Sequence, residues 1–263
     1  MPELIANISL LFSEAPLPDR FAAARAAGFA AVECLFPYEM PAEEIRAVLS
    51  HNNLRLALIN TPAGNWESGE RGFAACPGRQ AEFDHALRTA LDYATATGCG
   101  KIHVMAGVTE TLEKAACRPV FIANLRRACL LAARQGIAIT IEPLNPIDMP
   151  AYFLDDFELA RTIISEIGAD NLYLQFDAYH AAMMGLNPAD TFARYRNLIG
   201  HVQIADAPGR HEPGSGRIDF PTLFATITAS GYDGTIACEY FPSGDTRAGL
   251  EWISRLHPVP GVD

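Results

Sequence analysis

The sequence predicts a single-domain (β/α)₈ barrel, or TIM barrel, over residues 1–263. Short apolar runs typical of buried strands alternate strictly with amphipathic, helix-like segments, which indicates a parallel α/β fold. The length suits one such barrel, and no GxGxxG motif follows the first run, which disfavours a doubly wound sheet. The eight predicted strands are residues 4–12, 30–36, 54–61, 101–107, 138–144, 172–178, 200–206 and 234–240.

The segments between these strands contain helix start and stop signals. Pro41 stands at the beginning of one segment with acidic residues behind it, a pattern typical of a helix start. Gly28 ends another segment, at a position where glycine commonly terminates a helix. The predicted helices are residues 18–29, 41–53, 79–98, 118–136, 154–168, 187–198, 219–231 and 246–256. Residues 257–263 are expected to form a flexible tail.

Charge and composition argue against a nucleic-acid-binding protein and against a membrane protein. The chain has 31 acidic and 20 basic residues and a net charge of −11, whereas nucleic-acid and anionic-membrane binders need a basic surface. No apolar run reaches the roughly 18 residues of a membrane helix, and the first residues lack the basic region of a signal peptide. We therefore expect a cytoplasmic protein that binds neither nucleic acid nor membrane. Its six scattered cysteines are expected to be reduced and mostly buried.

Oxygen-bearing side chains stand near the C-terminal ends of four consecutive predicted strands. Glu142, Asp177 and Glu239 each follow an apolar run, and Gln203 lies in the seventh strand. In a (β/α)₈ barrel these ends meet at one mouth, where such barrels place their active sites. Three carboxylates without a counter-charge would repel one another there, so we expect a divalent cation. All-oxygen ligands favour Mg²⁺ or Mn²⁺ over Zn²⁺.

Two long glycine-rich loops, residues 62–79 and 207–218, also follow predicted strands and therefore lie at the same mouth. Each contains an arginine, Arg71 in the first loop and Arg210 in the second. Arginine binds a carboxylate through two parallel hydrogen bonds. We interpret both as candidates to hold a small anionic substrate, with an ordinary solvated arginine as the alternative for each.

Three histidines lie near the predicted mouth or inside the barrel. His180 follows Asp177 by three residues, and we interpret it as a metal ligand, a substrate-binding group or a stabiliser of a developing oxyanion, with a structural role as the alternative. His201 precedes Gln203 by two residues, so the alternation of a strand places both on one face. His103, in mid-strand, is expected to be a hydrogen-bonded interior group.

The motifs of the chain resemble those of a known family. The segments NISLLF, PAGNWESGERGFAACPGR, IEPLNPIDMP, QFDAYH, HVQIADAPGRHEPGSGRIDFPTLF and GYDGTIACEY are similar to those of the hydroxypyruvate isomerase family, within the xylose-isomerase-like barrel superfamily. The likeness covers nearly the whole chain. It implies that Glu142, Asp177, Gln203 and Glu239 hold the metal and that Glu142 and Glu239 form the acid–base pair. The family usually has lysine after CEY, whereas this chain has Phe241.

The resemblance implies a metal-dependent aldose–ketose-type isomerase that interconverts hydroxypyruvate and tartronate semialdehyde (2-hydroxy-3-oxopropanoate) through an enediolate. The metal would act as a Lewis acid on the substrate, while Glu142 and Glu239 move the proton. The alternatives are a 2-oxo-tetronate isomerase, a ketose 3-epimerase, a metal-dependent abasic-site endonuclease and a binding protein without turnover. The sequence leaves open which glutamate is the base, the native metal and the oligomeric state, a homo-oligomer included.

Overall fold

The computed structural model describes residues 2–109 and 112–256, so the predicted tail at 257–263 lies outside the described residues. The described strands are all parallel and form one sheet. They are β1 (Glu3–Asn7), β2 (Ala31–Glu33), β3 (Arg55–Leu56), β4 (Ile59–Asn60), β5 (Lys101–His103), β6 (Ala138–Ile141), β7 (Leu172–Asp177), β8 (Ile199–Ile204) and β9 (Thr235–Cys238).

The third predicted strand is split into β3 and β4, and these two halves close the barrel. β3 pairs with β2 and β4 pairs with β5, so the sheet order begins at β3 and ends at β4. Between the halves, the N–H of Ala57 donates to the carbonyl of Val32 at 2.8 Å, which keeps the connecting segment bonded to β2. Because β3 and β4 together occupy one strand position, the nine described strands fill eight positions around the barrel. The predicted (β/α)₈ fold is confirmed.

Several strands are shorter than predicted, because apolar residues stay buried after the ladder ends. The first strand, predicted to run to residue 12, ends at Asn7, whose carbonyl accepts hydrogen bonds from the N–H groups of Leu10 and Leu11 in a turn. The fourth ends at His103, although Met105 is still only 3% exposed. Hydrophobicity alone does not distinguish a buried turn from a buried strand.

The helices surround the barrel and include one that the sequence analysis missed. They are α1 (Leu17–Ala26), α2 (Ala42–His51), α3 (Gln80–Thr97), α4 (Lys114–Ala133), α5 (Phe157–Ile167), α6 (Ala178–Met183), α7 (Pro188–Tyr195), α8 (Phe220–Ala229), α9 (Thr246–Gly249) and α10 (Trp252–Leu256). The missed helix, α6, begins directly after β7, where the side chain of Asp177 accepts a hydrogen bond from the N–H of Tyr179 and caps it. The last predicted helix is two short helices, α9 and α10.

Alternate residues of each strand face the helices or the barrel interior. One large cluster of buried apolar residues fills the layer between sheet and helices, and a separate small cluster contains Ile5, Ala31 and Ala237. Two residues further along the same strands, and on the same face, come Asn7, Glu33 and Glu239. The barrel interior is therefore apolar towards the N-terminal ends of the strands and polar towards their C-terminal ends, at the mouth. In the described part of the chain, none of the helices is long and apolar enough to cross a membrane.

Candidate active site

The four predicted side chains meet at the C-terminal mouth of the barrel. Asp177 ends β7 and stands in register with Gln203 of β8, while Glu142 and Glu239 directly follow β6 and β9. All four are buried, with at most 5% of each residue exposed. The convergence follows from the fold, because the carboxyl ends of parallel strands open at the same face.

Arg210 places a positive charge among these carboxylates. Its Nη2 lies 2.9 Å from Oε2 of Glu239 and 3.4 Å from Oδ2 of Asp177. Burial works against this charge, but Glu239, Asp177 and Glu142 outweigh it and raise the pKa of Arg210. Its Nε has no hydrogen-bond partner among the described residues. This buried N–H of the guanidinium therefore stands unpaired beside the carboxylates among the described residues.

The three carboxylates are buried from solvent, and their burial shifts their pKa values. Burial raises the pKa of Glu239 to about 8 although Arg210 lowers it, and burial likewise raises the pKa of Asp177 to about 6. Burial, together with the charges of Glu239 and Asp177, raises the pKa of Glu142 well above its usual range. One guanidinium against three ionised carboxylates leaves two negative charges. At neutral pH the site therefore needs protons or a divalent cation.

Glu142 has one oxygen engaged and one free. Nε2 of Gln175 donates to its Oε2 at 2.9 Å, whereas no described residue forms a hydrogen bond with its Oε1. An oxygen of Glu142, an oxygen of Asp177 and a ring nitrogen of His180 lie within 4.8 Å of one another. The free oxygen and the excess negative charge fit a hard cation such as Mg²⁺ or Mn²⁺. The identity of the metal stays a prediction.

His180 lies on α6, and its Nδ1 accepts a hydrogen bond from the backbone. The backbone N–H of Asn145 donates to this atom at 3.0 Å. Burial, reinforced by Arg210 and His103, lowers the pKa of His180 well below its usual range. The neutral ring therefore has its proton on Nε2, which lies 3.7 Å from Oδ2 of Asp177. A protonated Nε2 donates a hydrogen bond and does not bind a metal, so this geometry favours the oxyanion-stabilising interpretation of His180.

Beneath the mouth lies a buried polar layer that the sequence analysis did not connect to the site. Glu33, the last residue of β2, accepts hydrogen bonds from Nδ2 of Asn7 and Nε2 of Gln203, both at 2.8 Å. Its other oxygen lies 2.6 Å from Nε2 of His201. The prediction that His201 and Gln203 share a face is confirmed, since both contact this one carboxylate. The sequence could have indicated Glu33 in the same way as Glu142, because both are acidic residues in an otherwise apolar strand segment.

His103 is buried, as the sequence analysis expects, but it is the last residue of β5 and not a mid-strand residue. Its Nδ1 lies 3.2 Å from Oδ1 of Asn60 and 3.6 Å from Oε2 of Glu142. Its Nε2 has no hydrogen-bond partner among the described residues, so the expected hydrogen bonding is met on one side of the ring. Burial, reinforced by His201, lowers the pKa of His103 to about 3, which keeps the ring neutral.

Arg71 lies on the other long loop and has different partners. Its guanidinium stacks on Trp66, 3.5 Å from the ring centroid, and its Nη1 donates to the backbone carbonyls of Trp66 and Glu70 at 2.8 Å and 2.7 Å. Of the two arginines that the sequence indicated, the structure brings Arg210 into contact with the carboxylates. The contacts of Arg71 are with its own loop.

Asp206 organises the loop that contains Arg210. Arg210 itself has a φ of 54°, a left-handed conformation that costs energy for a residue with a side chain. The buried carboxylate of Asp206 accepts hydrogen bonds, at 2.8–3.0 Å, from the backbone N–H groups of Ala207, Gly214, Gly216 and Ile218. These bonds hold the loop in the shape that presents the guanidinium to the site.

Phe241 occupies the position where the sequence resemblance predicts lysine. Its backbone N–H donates to the carbonyl of Arg210 at 2.8 Å, so this segment also supports the arginine loop. The side chain is 50% exposed. An apolar ring, and no ammonium group, therefore stands at this position of the mouth.

Comparisons with known proteins agree with this architecture. The family model described as xylose isomerase-like TIM barrel matches residues 21–256. The 2-oxo-tetronate isomerase of Cupriavidus necator is 47% identical, over 96% of this chain and 98% of that protein. The hydroxypyruvate isomerase of Escherichia coli strain K12 is 40% identical, over 94% of this chain and 96% of that protein.

A solved structure is similarly close. The crystal structure of AP endonuclease, family 2, from Brucella melitensis superposes with a TM-score of 0.94 at 41% identity, covering 97% of this chain and 99% of that one. The chain belongs to the xylose isomerase-like TIM barrel family, among its hydroxypyruvate and 2-oxo-tetronate isomerases. Its predicted membership is thereby confirmed, and with it the prediction of an isomerase. The matched region contains the site residues of this family member from Glu33 to Glu239, whereas β1 with Asn7 precedes it.

Proposed function

We propose that the protein is a divalent-cation-dependent isomerase of short hydroxylated 2-oxo acids, with hydroxypyruvate and tartronate semialdehyde as the interconverted pair. The observation that supports this most directly is the pair Glu142 and Glu239. Both are buried at the mouth with raised pKa values, and the strands that precede them are separated by β7 and β8. Two such carboxyls on different sides of a small substrate suit the removal and return of a proton.

The reaction moves one carbonyl group between neighbouring carbons. One glutamate removes a proton from C3 of hydroxypyruvate, and a proton is returned at C2, while the hydroxyl proton passes from O3 to O2. Atoms and charge balance without an oxidant or reductant. Glu142 and Glu239, each with a carboxyl group at the mouth, would take the proton from one carbon and return it to the other.

Other side chains supply binding and charge stabilisation. Arg210 would hold the substrate carboxylate through its guanidinium, and Nε2–H of His180 would donate to the oxygen where negative charge develops. A divalent cation held by Glu142, Asp177, Gln203 and Glu239 would supply Lewis-acid stabilisation of that charge.

The four-carbon 2-oxo-tetronate is the second candidate substrate. It has the same carboxylate and 2-oxo group, so the same residues would serve it. The 47% identity to the Cupriavidus necator enzyme favours it. The hydroxypyruvate isomerase family usually has a lysine at position 241, and this chain has the apolar Phe241 there. This departure weakens the inference from the family resemblance to hydroxypyruvate as the substrate.

The abasic-site endonuclease is a third candidate, favoured by the name of the Brucella melitensis protein. The net charge of −11 argues against it, because a DNA-binding mouth needs a basic surface for the phosphates. Strand cleavage of an abasic duplex, with salt-dependent binding, would establish this alternative and displace the isomerase proposal.

A substrate panel with controlled metal content tests the proposal. Hydroxypyruvate, 2-oxo-tetronates and ketoses are assayed with protein stripped by EDTA and then reloaded with Mg²⁺ or Mn²⁺. We expect turnover of a 2-oxo acid that is lost on stripping and restored on reloading. Turnover of ketoses alone, or activity that survives stripping, would contradict the proposal.

We also propose a cytoplasmic location. All six cysteines are buried free thiols, and burial raises the pKa of every one of them. Thiols in this state suit a reducing compartment. Fractionation of the native host, with the protein in the cytosolic fraction, is the expected result.

A further inference from the structure

Four side chains inside the barrel form one hydrogen-bonded row, Glu33–Gln203–Gln175–Glu142, called here the interior row. Nε2 of Gln203 donates to Oε1 of Glu33 at 2.8 Å. Nε2 of Gln175 donates to Oε1 of Gln203 at 2.7 Å and to Oε2 of Glu142 at 2.9 Å. Oε1 of Gln175 accepts from the hydroxyl of Thr140 at 2.8 Å. The row is enclosed, since Glu33, Gln203 and Gln175 are at most 1% exposed.

A carboxylate stands at each end of the interior row and determines which way both amides point. The two ends of an amide have nearly the same shape, so its orientation follows from its hydrogen-bond partners. The carboxylate of Glu33 accepts, so Gln203 faces it with nitrogen and turns its oxygen away. Glu142 likewise requires the nitrogen of Gln175. Reversing either amide would bring two acceptors together and leave buried polar atoms unpaired.

We propose that Glu33 and Gln175 are positioning residues, which keep Oε1 of Gln203 turned away from Glu33, with one lone pair bonded to Gln175 and the other available to a divalent cation at the mouth. A glutamine ligand needs such support, because its nitrogen does not bind a cation and reversal changes its shape little. The row also engages Oε2 of Glu142 and leaves Oε1 of that residue without a partner among the described residues. The inference rests on the proposed function only in requiring a cation at this mouth.

The first test measures Mn²⁺ binding to EDTA-stripped protein by electron paramagnetic resonance of the free ion. Glu33→Gln replaces one of the two acceptor oxygens by an amide nitrogen with almost no change in shape, so the amide at position 203 can meet a donor or an acceptor there and populates both orientations. We expect the Kd for Mn²⁺ to rise about 10- to 100-fold, as is typical when a partner behind a metal ligand is changed. Asn7→Ala is the matched control, because it removes a different donor to the same Glu33 oxygen. Its Kd should stay close to that of the wild type.

An exchange variant separates positioning from a general structural role. In Glu33→Gln/Gln203→Glu, the carboxylate at position 203 has two equivalent oxygens and needs no orientation, and the amide at position 33 can donate to it. Mn²⁺ affinity should return towards the wild-type value, which loss of a merely structural contact does not predict. Gln175→Met removes the hydrogen bonds that Gln175 donates to Gln203 and to Glu142, and it should also weaken Mn²⁺ binding. This variant tests the proposal even if Glu33→Gln does not fold.

The outcomes distinguish this inference from the proposed function. Wild-type affinity in folded Glu33→Gln and Gln175→Met proteins overturns it, as does equal weakening in Asn7→Ala or no recovery in the exchange variant. If the wild-type protein itself does not bind Mn²⁺, the cation dependence of the proposed function fails as well. Normal binding by the wild type together with unaffected variants removes only the positioning role.

Discussion

Nη2 of Arg210 lies 2.9 Å from Oε2 of Glu239, and this ion pair joins the loop after β8 to the end of β9. The contact places a cation directly beside one member of the proposed acid–base pair. The free Nε of the same guanidinium then faces no acceptor among the described residues. Arg210 therefore contacts the carboxylates of the mouth, as its proposed role of holding a substrate carboxylate requires, whereas Arg71 is engaged by its own loop.

Replacing this arginine tests the substrate clamp. Arg210→Lys keeps the charge but loses the planar fork, so we expect kcat/KM for the accepted 2-oxo acid to fall about 10- to 100-fold, mainly through KM. Arg217→Lys is the control, because Arg217 lies on the same loop and donates to the carbonyl of Ala182. Steady-state kinetics of these variants and of Arg71→Lys decide the assignment. A loss confined to Arg71→Lys would transfer the role to Arg71.

The acid–base pair is tested by two isosteric changes. Glu142→Gln and Glu239→Gln remove a proton-transfer group with little change in shape, and each should lower kcat by at least about 100-fold. Thermal unfolding should remain cooperative in both. The control Glu166→Gln changes an exposed residue paired with Arg118 on the outer helices and should leave kcat unchanged. Wild-type turnover in either test variant would exclude that glutamate from the chemistry.

The raised pKa values predict how the metal-free protein responds to pH. Above about pH 6.5, the unfolded chain has already lost its carboxylate protons, whereas folded Glu239, with a pKa of about 8, still holds one. The folded state then binds more protons than the unfolded state. Its stability therefore falls as pH rises from about 6.5 to 8, by up to about 1.4 kcal/mol per pH unit for each such proton.

Thermal unfolding of EDTA-stripped protein across this pH range provides the measurement. We expect the Tm to decline towards pH 8 and the decline to flatten in Glu239→Gln, which has no proton to lose there. Added Mn²⁺ should raise the Tm more at pH 8 than at pH 6.5, because metal binding favours deprotonated ligands. A Tm of the stripped protein that rises over this range would contradict the assigned pKa direction.

The loop anchor Asp206 gives a prediction about stability. In the wild type, two oxygens of Asp206 accept hydrogen bonds from the backbone N–H groups of the loop. Asp206→Asn leaves only one acceptor oxygen, so buried N–H groups of the loop lose their partner. We expect the free energy of unfolding to drop by about 2–4 kcal/mol and kcat/KM to fall because Arg210 is displaced. Asp219→Asn is the control, since Asp219 caps α8 and asparagine caps a helix equally well. Chemical denaturation with equal stability for both variants would show that the loop does not depend on Asp206.

The strand-end residues were predictable because their position depends on local sequence. An apolar run followed by a carboxylate, as at Glu142 and Glu239, marks the end of a buried strand, and a parallel barrel brings such ends to one mouth. The helix α6 was missed because its start depends on the side chain of Asp177, which we interpreted only as a metal ligand. One residue here serves the helix cap through Oδ1 while Oδ2 faces Arg210.

The sequence by itself determined the barrel, the face on which the site lies and the four oxygen-bearing side chains, since these follow from hydrophobic periodicity and parallel strand direction. Only the tertiary structure decided that Arg210 and not Arg71 contacts Glu239, and that Glu33 reaches Gln203 across 170 residues of chain. Such contacts depend on barrel closure, on the register between strands and on the conformation of the loops. Those features are set by packing between segments distant in sequence, and no local pattern encodes them.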